Sequence, residues 1–263
     1  MSAAFDAHAL ARLFADARAH RAKLDTLPDG ARPASADEAY AAQKAALRML
    51  DASLADGAEA SAIGGWKVGS KSTDGPIQGA LLPADGVHRS SARLSMQAFG
   101  KAALELEVAF TFNRRFEANS GPYRDEEVFA AIDCMHAAIE VVASRFAAWP
   151  DVDKLWQLAD LQNHGALVVG EGVPYDEAFA FVSPAMSFTY DGAPLFDAAP
   201  ANPAGDPRRL LAWTVNHAVA QGLAVEKGTV ITAGSYTGMA FPDKPGVAVG
   251  AIDGLPPVEL RFE

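Results

Sequence analysis

The sequence predicts an α+β fold, in which a small helical N-terminal part leads into one domain built on a mixed β-sheet. Apolar residues recur at helical spacing before about residue 60 and then only in a few short segments. Beyond that point, short β-type runs separated by Gly, Pro and Asp dominate the chain. We therefore predict a helical region over residues 1–60 and a sheet domain over residues 61–263.

The N-terminal region contains two predicted helices. In the first, over residues 6–25, apolar positions such as Leu10 and Phe14 share one face. In the second, from 36 to about 54, Ser35 and a glutamate three residues later form a capping-box signature. Gly57 is predicted to end that helix, because glycine favours the position after a helix.

The sheet domain is predicted from apolar runs of strand length. The runs are IGGWKVG, LELEVAFTF, AAIEVVASRF, ALVVG, FAFVSPAMSFTY, GTVITAG and VEL near the end of the chain. Asp191 and Gly192 predict a hairpin after the fifth run, because Asp-Gly supplies the positive φ angles of a tight turn.

Three further helices are predicted between these strands, over residues 125–131, 154–162 and 207–221. The last has the clearest ends. Asp206 is its expected N-cap, proline follows at the first helical position, and Gly222 stands just past its end.

Composition excludes several classes of function. The chain has 33 acidic against 22 basic residues, a formal charge of −11, which disfavours nucleic acid as a partner. A single cysteine, Cys134, excludes an intramolecular disulfide or a thiolate metal cage and indicates a reducing compartment. No stretch reaches the roughly 18 apolar residues of a membrane span. We predict a cytoplasmic protein with no membrane partner.

Three glutamates form the main candidate for chemistry. Glu105 and Glu107 lie two apart in LELEVAF, so both carboxylates point to one face of a strand. Glu140 lies in AAIEVVA, a run too apolar for a freely solvated position. A buried charge at Glu140 must be compensated by protonation, by pairing with a base such as Arg145, or by a bound cation.

One divalent cation would neutralise all three acids together. Carboxylate ligands suit hard ions such as Mg²⁺, Mn²⁺ or Ca²⁺, and three protein ligands leave open positions for water and substrate. The alternative is a solvated sheet face that carries Glu105 and Glu107, with Glu140 paired to a base.

Lys67 is the second candidate. It is the one charged residue in GGWKVG, where glycines allow close approach of a ligand to the backbone. A lysine there can stabilise an enolate or a carboxylate, or transfer a proton. The alternative is a surface lysine whose stem packs on apolar neighbours.

The order of several short blocks resembles the 2-keto-4-pentenoate hydratase and 4-oxalocrotonate decarboxylase group of the fumarylacetoacetate hydrolase superfamily. The blocks are GWKVG (65–69), ELEVAF (105–110), AIEVVASR (138–145), Ala159-Asp160 with Gly165, and GSYTG (234–238). The two blocks that contain the three glutamates, ELEVAF and AIEVVASR, are the most specific to this group. The chain differs from the usual pattern at Gln78, at Leu161 and in the residues around Gly234, so the substrate stays open.

The resemblance implies a mixed β-sandwich roll, preceded by the small helical part. It implies Mg²⁺ or Mn²⁺ bound by the three glutamates, and Lys67 and Asp160 in catalysis. Ser235, Thr237 and Lys71 are the expected substrate contacts. It further implies a homo-oligomer, with association to a partner decarboxylase or hydratase as a further expectation.

The implied reaction is the addition of water to a small 2-oxo acid substrate, a 2-hydroxy-2,4-dienoate in its 2-oxo-3-enoate form, as in the catabolism of aromatic compounds. Three alternatives remain. They are a 4-oxalocrotonate-type decarboxylase, a C–C hydrolase or acylpyruvase of the same superfamily, and a weakly active metal-binding subunit that stabilises a partner enzyme.

Overall fold

The computed structural model describes residues 4–50 and 62–263. The helices are α1 (Ala7–Ala19), α2 (Ala36–Leu50), α3 (Asp125–Phe129), α4 (Lys154–Ala159) and α5 (Arg208–Ala220). The strands are β1 (Ile63–Gly69), β2 (Gln78–Pro83), β3 (Val87–Arg89), β4 (Ala92–Leu94), β5 (Ala103–Phe112), β6 (Ile132–Val142), β7 (His164–Val169), β8 (Val173–Pro174), β9 (Met186–Tyr190), β10 (Ala193–Pro194), β11 (Val230–Ser235), β12 (Gly246–Ile252) and β13 (Val258–Phe262). The predicted end of the second helix at Gly57 and the predicted domain boundary at residue 60 lie outside the described residues.

The strands form two mixed sheets, so the predicted α+β class is confirmed. The larger sheet has the order β2-β1-β11-β5-β6-β7-β3, with β8 paired to β6. The smaller sheet has the order β10-β9-β12-β13-β4. In each sheet, strands distant in sequence lie side by side, as in the parallel pairs β1/β11 and β4/β13.

The main core lies between the two sheets. Strand β5 supplies Leu104, Leu106 and Val108 to it, all fully buried, while the alternate residues point to the opposite face. The two sheets are in close contact at Gly250 of β12, where an added Cβ would lie 2.4 Å from Leu106 Cδ1. This contact requires a glycine at position 250, and β12, which is rich in Gly and Ala, was missed as a strand.

The N-terminal helices form a separate apolar cluster. Phe14 of α1 packs against Phe146, with ring centroids 5.8 Å apart, and Leu158 of α4 joins the same cluster. Leu24 forms a bridge to Phe146, with its backbone N–H 2.8 Å from the carbonyl oxygen of Arg145. The helical part is thereby attached to the chain directly after β6.

Two of the predicted segments need correction. The run FAFVSPAMSFTY forms a strand only over Met186–Tyr190, because proline interrupts its first half. Phe181 in that half is apolar because it packs into the main core from a loop. The hairpin at Asp191 and Gly192 is confirmed, with φ angles of 48° and 81°.

The helix predicted over 154–162 ends at Ala159. Leu161, Gln162 and Asn163 then adopt φ angles of 51°, 50° and 59°, in the left-handed region that non-glycine residues rarely occupy. This turn, which helical periodicity gives no reason to expect, directs the carbonyl oxygen of Gln162 towards Lys67.

In the described parts of the chain, the helices are too short or too polar for a membrane-spanning segment.

Candidate metal centre

The three glutamates lie on the face of the larger sheet that is turned away from the main core. Glu105 of β5 stands opposite Glu140 of β6 in the antiparallel register. Glu107 follows two residues later on the same face, because side chains alternate along a strand. Its register partner is Ala138, whose small side chain leaves room beside the acids.

The carboxylates of the three residues converge. Their potential ligand atoms all lie within 4.8 Å of one another, and within the described part of the chain the group contains these three acids. Glu107 is 3% exposed and Glu140 is 1% exposed. Three acids in one poorly hydrated place repel one another unless protons or a cation neutralise them.

Burial and mutual repulsion raise the pKa values of two of the three glutamates. Burial, followed by the charge of Glu140, raises the pKa of Glu105 to about 7. Burial and the charges of Glu140 and Glu105 raise the pKa of Glu107 to about 8. This crowded, all-oxygen donor set therefore fits a hard divalent cation, and the role of the glutamates as its ligands remains a prediction.

Lys67 reaches the group from β1, which is separated from β5 by β11. Its ammonium group forms an ion pair with Glu140 and donates a hydrogen bond to the carbonyl oxygen of Gln162 at 3.2 Å. Burial acts to lower the pKa of Lys67, but the charge and hydrogen bond of Glu140 and the charges of Glu105 and Glu107 together outweigh it, so the pKa is raised. Glu140 is thus paired with Lys67, whereas the sequence analysis considered Arg145 as its base.

Two hydrogen-bond donors from β11 hold the carboxylate of Glu107 in place. The hydroxyl of Thr232 and the backbone N–H of Gly234, at 3.1 Å, both donate to its Oε2. The pairing of β11 with β5 shifts register between Thr232 and Ser235, and Gly234 has a φ of 92°. This irregularity turns a backbone N–H out of the ladder towards the carboxylate. Sequence reasoning missed Thr232, and only its place in an apolar strand could have drawn attention to it.

We expect Thr232→Val to weaken the binding of Mn²⁺ by about 10- to 100-fold, the usual loss when a hydrogen-bonded partner of a metal ligand is removed. The valine keeps the shape but removes the donor to Glu107. Thr232→Ser retains the hydroxyl and should restore binding. Isothermal titration with Mn²⁺ measures both variants, and equal affinity in the Val variant and the parent protein would contradict the role.

The turn after β11 carries two further predicted residues. The Ser235 side chain acts to lower the pKa of Glu105 through hydrogen bonding, and its hydroxyl oxygen accepts the N–H of Gly238 at 3.0 Å. Thr237 Oγ1 accepts the backbone N–H of Leu106 at 3.2 Å, between the two acids of β5. Both lie beside the carboxylates, and their contact with substrate stays a prediction.

Lys71 lies in an exposed loop and forms no hydrogen bond or ion pair with the described residues. The structure does not bring it into the carboxylate group. Its expected contact with the substrate likewise stays a prediction.

Asp160 lies apart from the glutamates, at the end of α4, and is fully buried. Its oxygens accept the backbone N–H of Arg145 at 2.9 Å, the Arg145 Nε at 2.6 Å and the Ser144 hydroxyl at 3.3 Å. These contacts tie the chain after β6 to the left-handed turn before β7. They give Asp160 a structural role, and its predicted role in catalysis stays a prediction.

Asp160→Asn should lower the free energy of unfolding by about 3 kcal/mol or more, because it leaves the buried Arg145 guanidinium without its charge partner. Urea unfolding followed by circular dichroism measures the change. Asp151→Asn, on the exposed loop before α4, serves as the matched control and should unfold like the parent. A stable Asp160→Asn protein that has lost turnover would instead favour the catalytic role.

Comparisons with known proteins identify similar sequences and a similar fold. No protein-family model matches the chain. A 4-oxalocrotonate decarboxylase from a Pseudomonas species is 30% identical over 150 residues, which is 56% of this chain and 54% of that protein. A 2-keto-4-pentenoate hydratase from Paraburkholderia xenovorans (strain LB400) is 26% identical over 161 residues, 61% of this chain and 58% of that protein. The matched part therefore spans little more than half the length of these curated relatives.

A solved structure matches over almost the whole chain. It is the 4-oxalocrotonate decarboxylase from Pseudomonas putida G7, complexed with magnesium and adipate, with a TM-score of 0.81 at 18% identity. The match covers 98% of this chain and 97% of that one, and at this identity it shows the fold. The chain therefore has a fumarylacetoacetate hydrolase-type fold, and it is similar in sequence to a 4-oxalocrotonate decarboxylase and a 2-keto-4-pentenoate hydratase, both of which are named as enzymes.

Proposed function

We propose that this chain is a divalent-metal-dependent lyase that acts on a small 2-oxo acid. One observation carries the proposal. Three carboxylates from two adjacent strands converge within 4.8 Å on a poorly hydrated sheet face, with Lys67 paired to one of them. A cluster of this kind, which like-charge repulsion and burial both disfavour, is typical of a functional site.

The resident ion is proposed to be Mg²⁺ or Mn²⁺, held by Glu105, Glu107 and Glu140. The all-oxygen donor set suits these ions, and the decarboxylase of similar fold was solved with magnesium. When bound, the ion would supply a Lewis acid that stabilises negative charge on the oxo oxygen of the substrate.

The side chains of the chain itself perform three tasks in this proposal. The glutamates hold the ion at the sheet face, and Thr232 fixes the orientation of one of them. The ammonium group of Lys67 adds positive charge next to Glu140, where the anionic form of a 2-oxo acid would be stabilised. Ser235 and Thr237, on the turn beside the acids, are proposed to orient the substrate.

The first candidate reaction is hydration. A 2-hydroxypenta-2,4-dienoate would tautomerise to the 2-oxo-3-enoate, in which the oxo group withdraws electrons from the C3–C4 double bond. Water would then add its oxygen to C4 and a proton to C3, which gives 4-hydroxy-2-oxopentanoate. This is the reaction named for one of the two curated relatives.

The second candidate is decarboxylation of a 4-oxalocrotonate-type substrate, in which the C–C bond to a carboxylate breaks and CO₂ leaves. The bonding electron pair would pass onto the 2-oxo oxygen, and the resulting dienolate would take up a proton. Two observations favour this reaction. The relative with 30% identity and the structure with a TM-score of 0.81 both carry this name. Both reactions place negative charge on the same 2-oxo oxygen, so the centre described above serves either.

One assay distinguishes hydration from decarboxylation. Protein stripped with EDTA and then restored with Mg²⁺ is incubated with 2-hydroxypenta-2,4-dienoate and with 4-oxalocrotonate, while ultraviolet absorbance and released CO₂ are followed. We expect turnover only after Mg²⁺ is restored. Loss of the dienoate without CO₂ supports the hydratase, release of CO₂ supports the decarboxylase, and no metal-dependent turnover of either substrate would contradict the lyase.

The same assay bears on the remaining alternatives. Turnover by the purified chain alone would exclude a weakly active metal-binding subunit. A C–C hydrolase is less favoured, because such enzymes usually carry a fourth acidic ligand, and three acids form the group among the described residues. The cytoplasmic location, the homo-oligomer and the association with a partner decarboxylase or hydratase remain proposals.

A further inference from the structure

A cavity of about 360 Å³ lies beside the end of the first helix. It is bounded by the end of α1, by the chain from Pro83 to His88, by the loop 97–100 and by the first residues of β7. None of the three glutamates borders it, nor does Lys67. It is therefore separate from the proposed metal centre.

The lining of this cavity is strongly basic. Four residues with basic side chains border it, namely Arg18, Arg21, Lys23 and Arg145. Asp85 is the single acid among the described residues that line it. In a chain with a formal charge of −11, such a concentration of positive charge is unexpected unless a negative group offsets it.

The acidic groups of the protein compensate only part of this positive charge. Asp160 lies behind the wall, where it is bonded to Arg145 at 2.6 Å and stands 3.9 Å from Arg18. Arg18 also donates to the carbonyl oxygen of His164 at 3.1 Å. Burial and the charge of Arg145 still lower the pKa of Arg18 to about 9, so this guanidinium is held where its charge is poorly compensated.

Two further cationic side chains of the lining, those of Arg21 and Lys23, are available to bind a ligand. Arg21 is exposed just past the end of α1 and has no ion pair with any described residue. Lys23 donates to the carbonyl oxygens of Ser144, at 2.5 Å, and Phe99, at 3.2 Å, and neither partner carries a negative charge.

His164 provides an independent observation. It borders the cavity and is 1% exposed, yet neither of its ring nitrogens has a hydrogen-bond partner among the described residues. Gly86, which also borders the cavity, lies so close that an added Cβ would be 2.6 Å from His164 Nε2. A buried imidazole without partners is uncommon in a folded protein and points to a missing polar group.

We propose that this cavity binds a small anion of the carboxylate or phosphate class, held by Arg18, Arg21 and Lys23. Arginine suits this task because its planar fork of N–H donors matches the oxygens of either group. The proposal does not depend on which reaction the metal centre performs.

The test is calorimetric titration of the full chain with inorganic phosphate and, separately, with succinate, at constant ionic strength set by chloride. Arg21→Gln removes an exposed cation and should leave the fold intact, and Lys23→Gln is the second variant. Arg12→Gln is the matched control, because this arginine is exposed on α1 and does not line the cavity. Each titration is repeated in EDTA, so that anions bound through a metal at the glutamates do not contribute.

We expect at least one of the two anions to bind in EDTA, and its affinity to fall about tenfold in Arg21→Gln or Lys23→Gln, the effect of losing one charged hydrogen bond. Arg12→Gln should bind as the parent does. The stronger anion identifies the ligand class as phosphate or carboxylate. Absence of binding by both anions at about 10 mM, binding that disappears in EDTA, or equal affinity in all three variants would overturn the proposal.

Discussion

Glu107→Gln is expected to weaken the binding of Mg²⁺ and Mn²⁺ by more than about 100-fold, since it removes a ligand rather than only an outer partner of one. Turnover at a fixed metal concentration should fall by about 1000-fold, the scale of losing a main stabiliser of developing charge. The effect is large because Glu107 is 3% exposed and its oxygens already point into the group.

The variant should still fold. A glutamine oxygen can accept the bonds from Thr232 and Gly234, and its amide group can donate to the neighbouring carboxylates. It also removes a charge from a place where three acids repel one another, so the metal-free variant should unfold at the same or a higher temperature than the metal-free parent.

Thermal unfolding with EDTA and with Mn²⁺ measures both effects at once. The parent should gain stability from Mn²⁺, because the ion binds the folded state, and Glu107→Gln should gain little. Glu171→Gln, at an exposed position, is the control and should respond like the parent. A Glu107→Gln protein with parental metal affinity would remove the proposed centre.

Lys67→Met is the second change with a large expected effect. Turnover should fall by about 100- to 10,000-fold, the range for loss of a group that assists charge or proton movement. The affinity for Mn²⁺ should be retained or increased, because the variant removes a cation that competes with the metal for Glu140. This split between rate and metal binding distinguishes a catalytic lysine from a structural one.

The same substitution should affect the stability of the two forms differently. Without metal, Glu140 loses its ion-pair partner in a buried position, which costs about 3–5 kcal/mol. With metal bound, the ion replaces that partner and the loss should be much smaller. Kinetics, calorimetry and urea unfolding of both forms measure these effects, with Lys227→Met on the exposed loop before β11 as the control. Parallel losses of rate and metal affinity would reassign Lys67 to structure.

Much of the site could be predicted from local pattern. Glu105 and Glu107 share a face because alternate residues of any strand do so, whatever the strand pairs with. Glu140 was recognisable from the apolar residues around it, since a solitary acid in such a run needs compensation. Lys67 stood out for the same reason, and the resemblance to a known group related these residues to one another.

Other features depend on which segments meet in space. The pairing of Glu140 with Lys67 instead of Arg145 follows from the order of strands in the sheet, which local periodicity does not encode. Thr232 reaches Glu107 because β11 pairs with β5, and the Gly234 N–H reaches it through the register shift between these strands. The left-handed turn after Asp160 was missed because none of its three residues is the glycine that such angles favour.

The sequence by itself therefore determined the fold class, the identity of the three acids and the strand face that carries two of them, because these follow from composition and from the two-residue period of a strand. The tertiary structure alone decided that the acids converge, that Lys67 joins them across two strand pairings, and that Arg145 meets three cations of the segment 18–23 at one cavity. The physical reason is that such contacts arise between residues far apart in the chain, where packing and register, rather than local preference, set the distances.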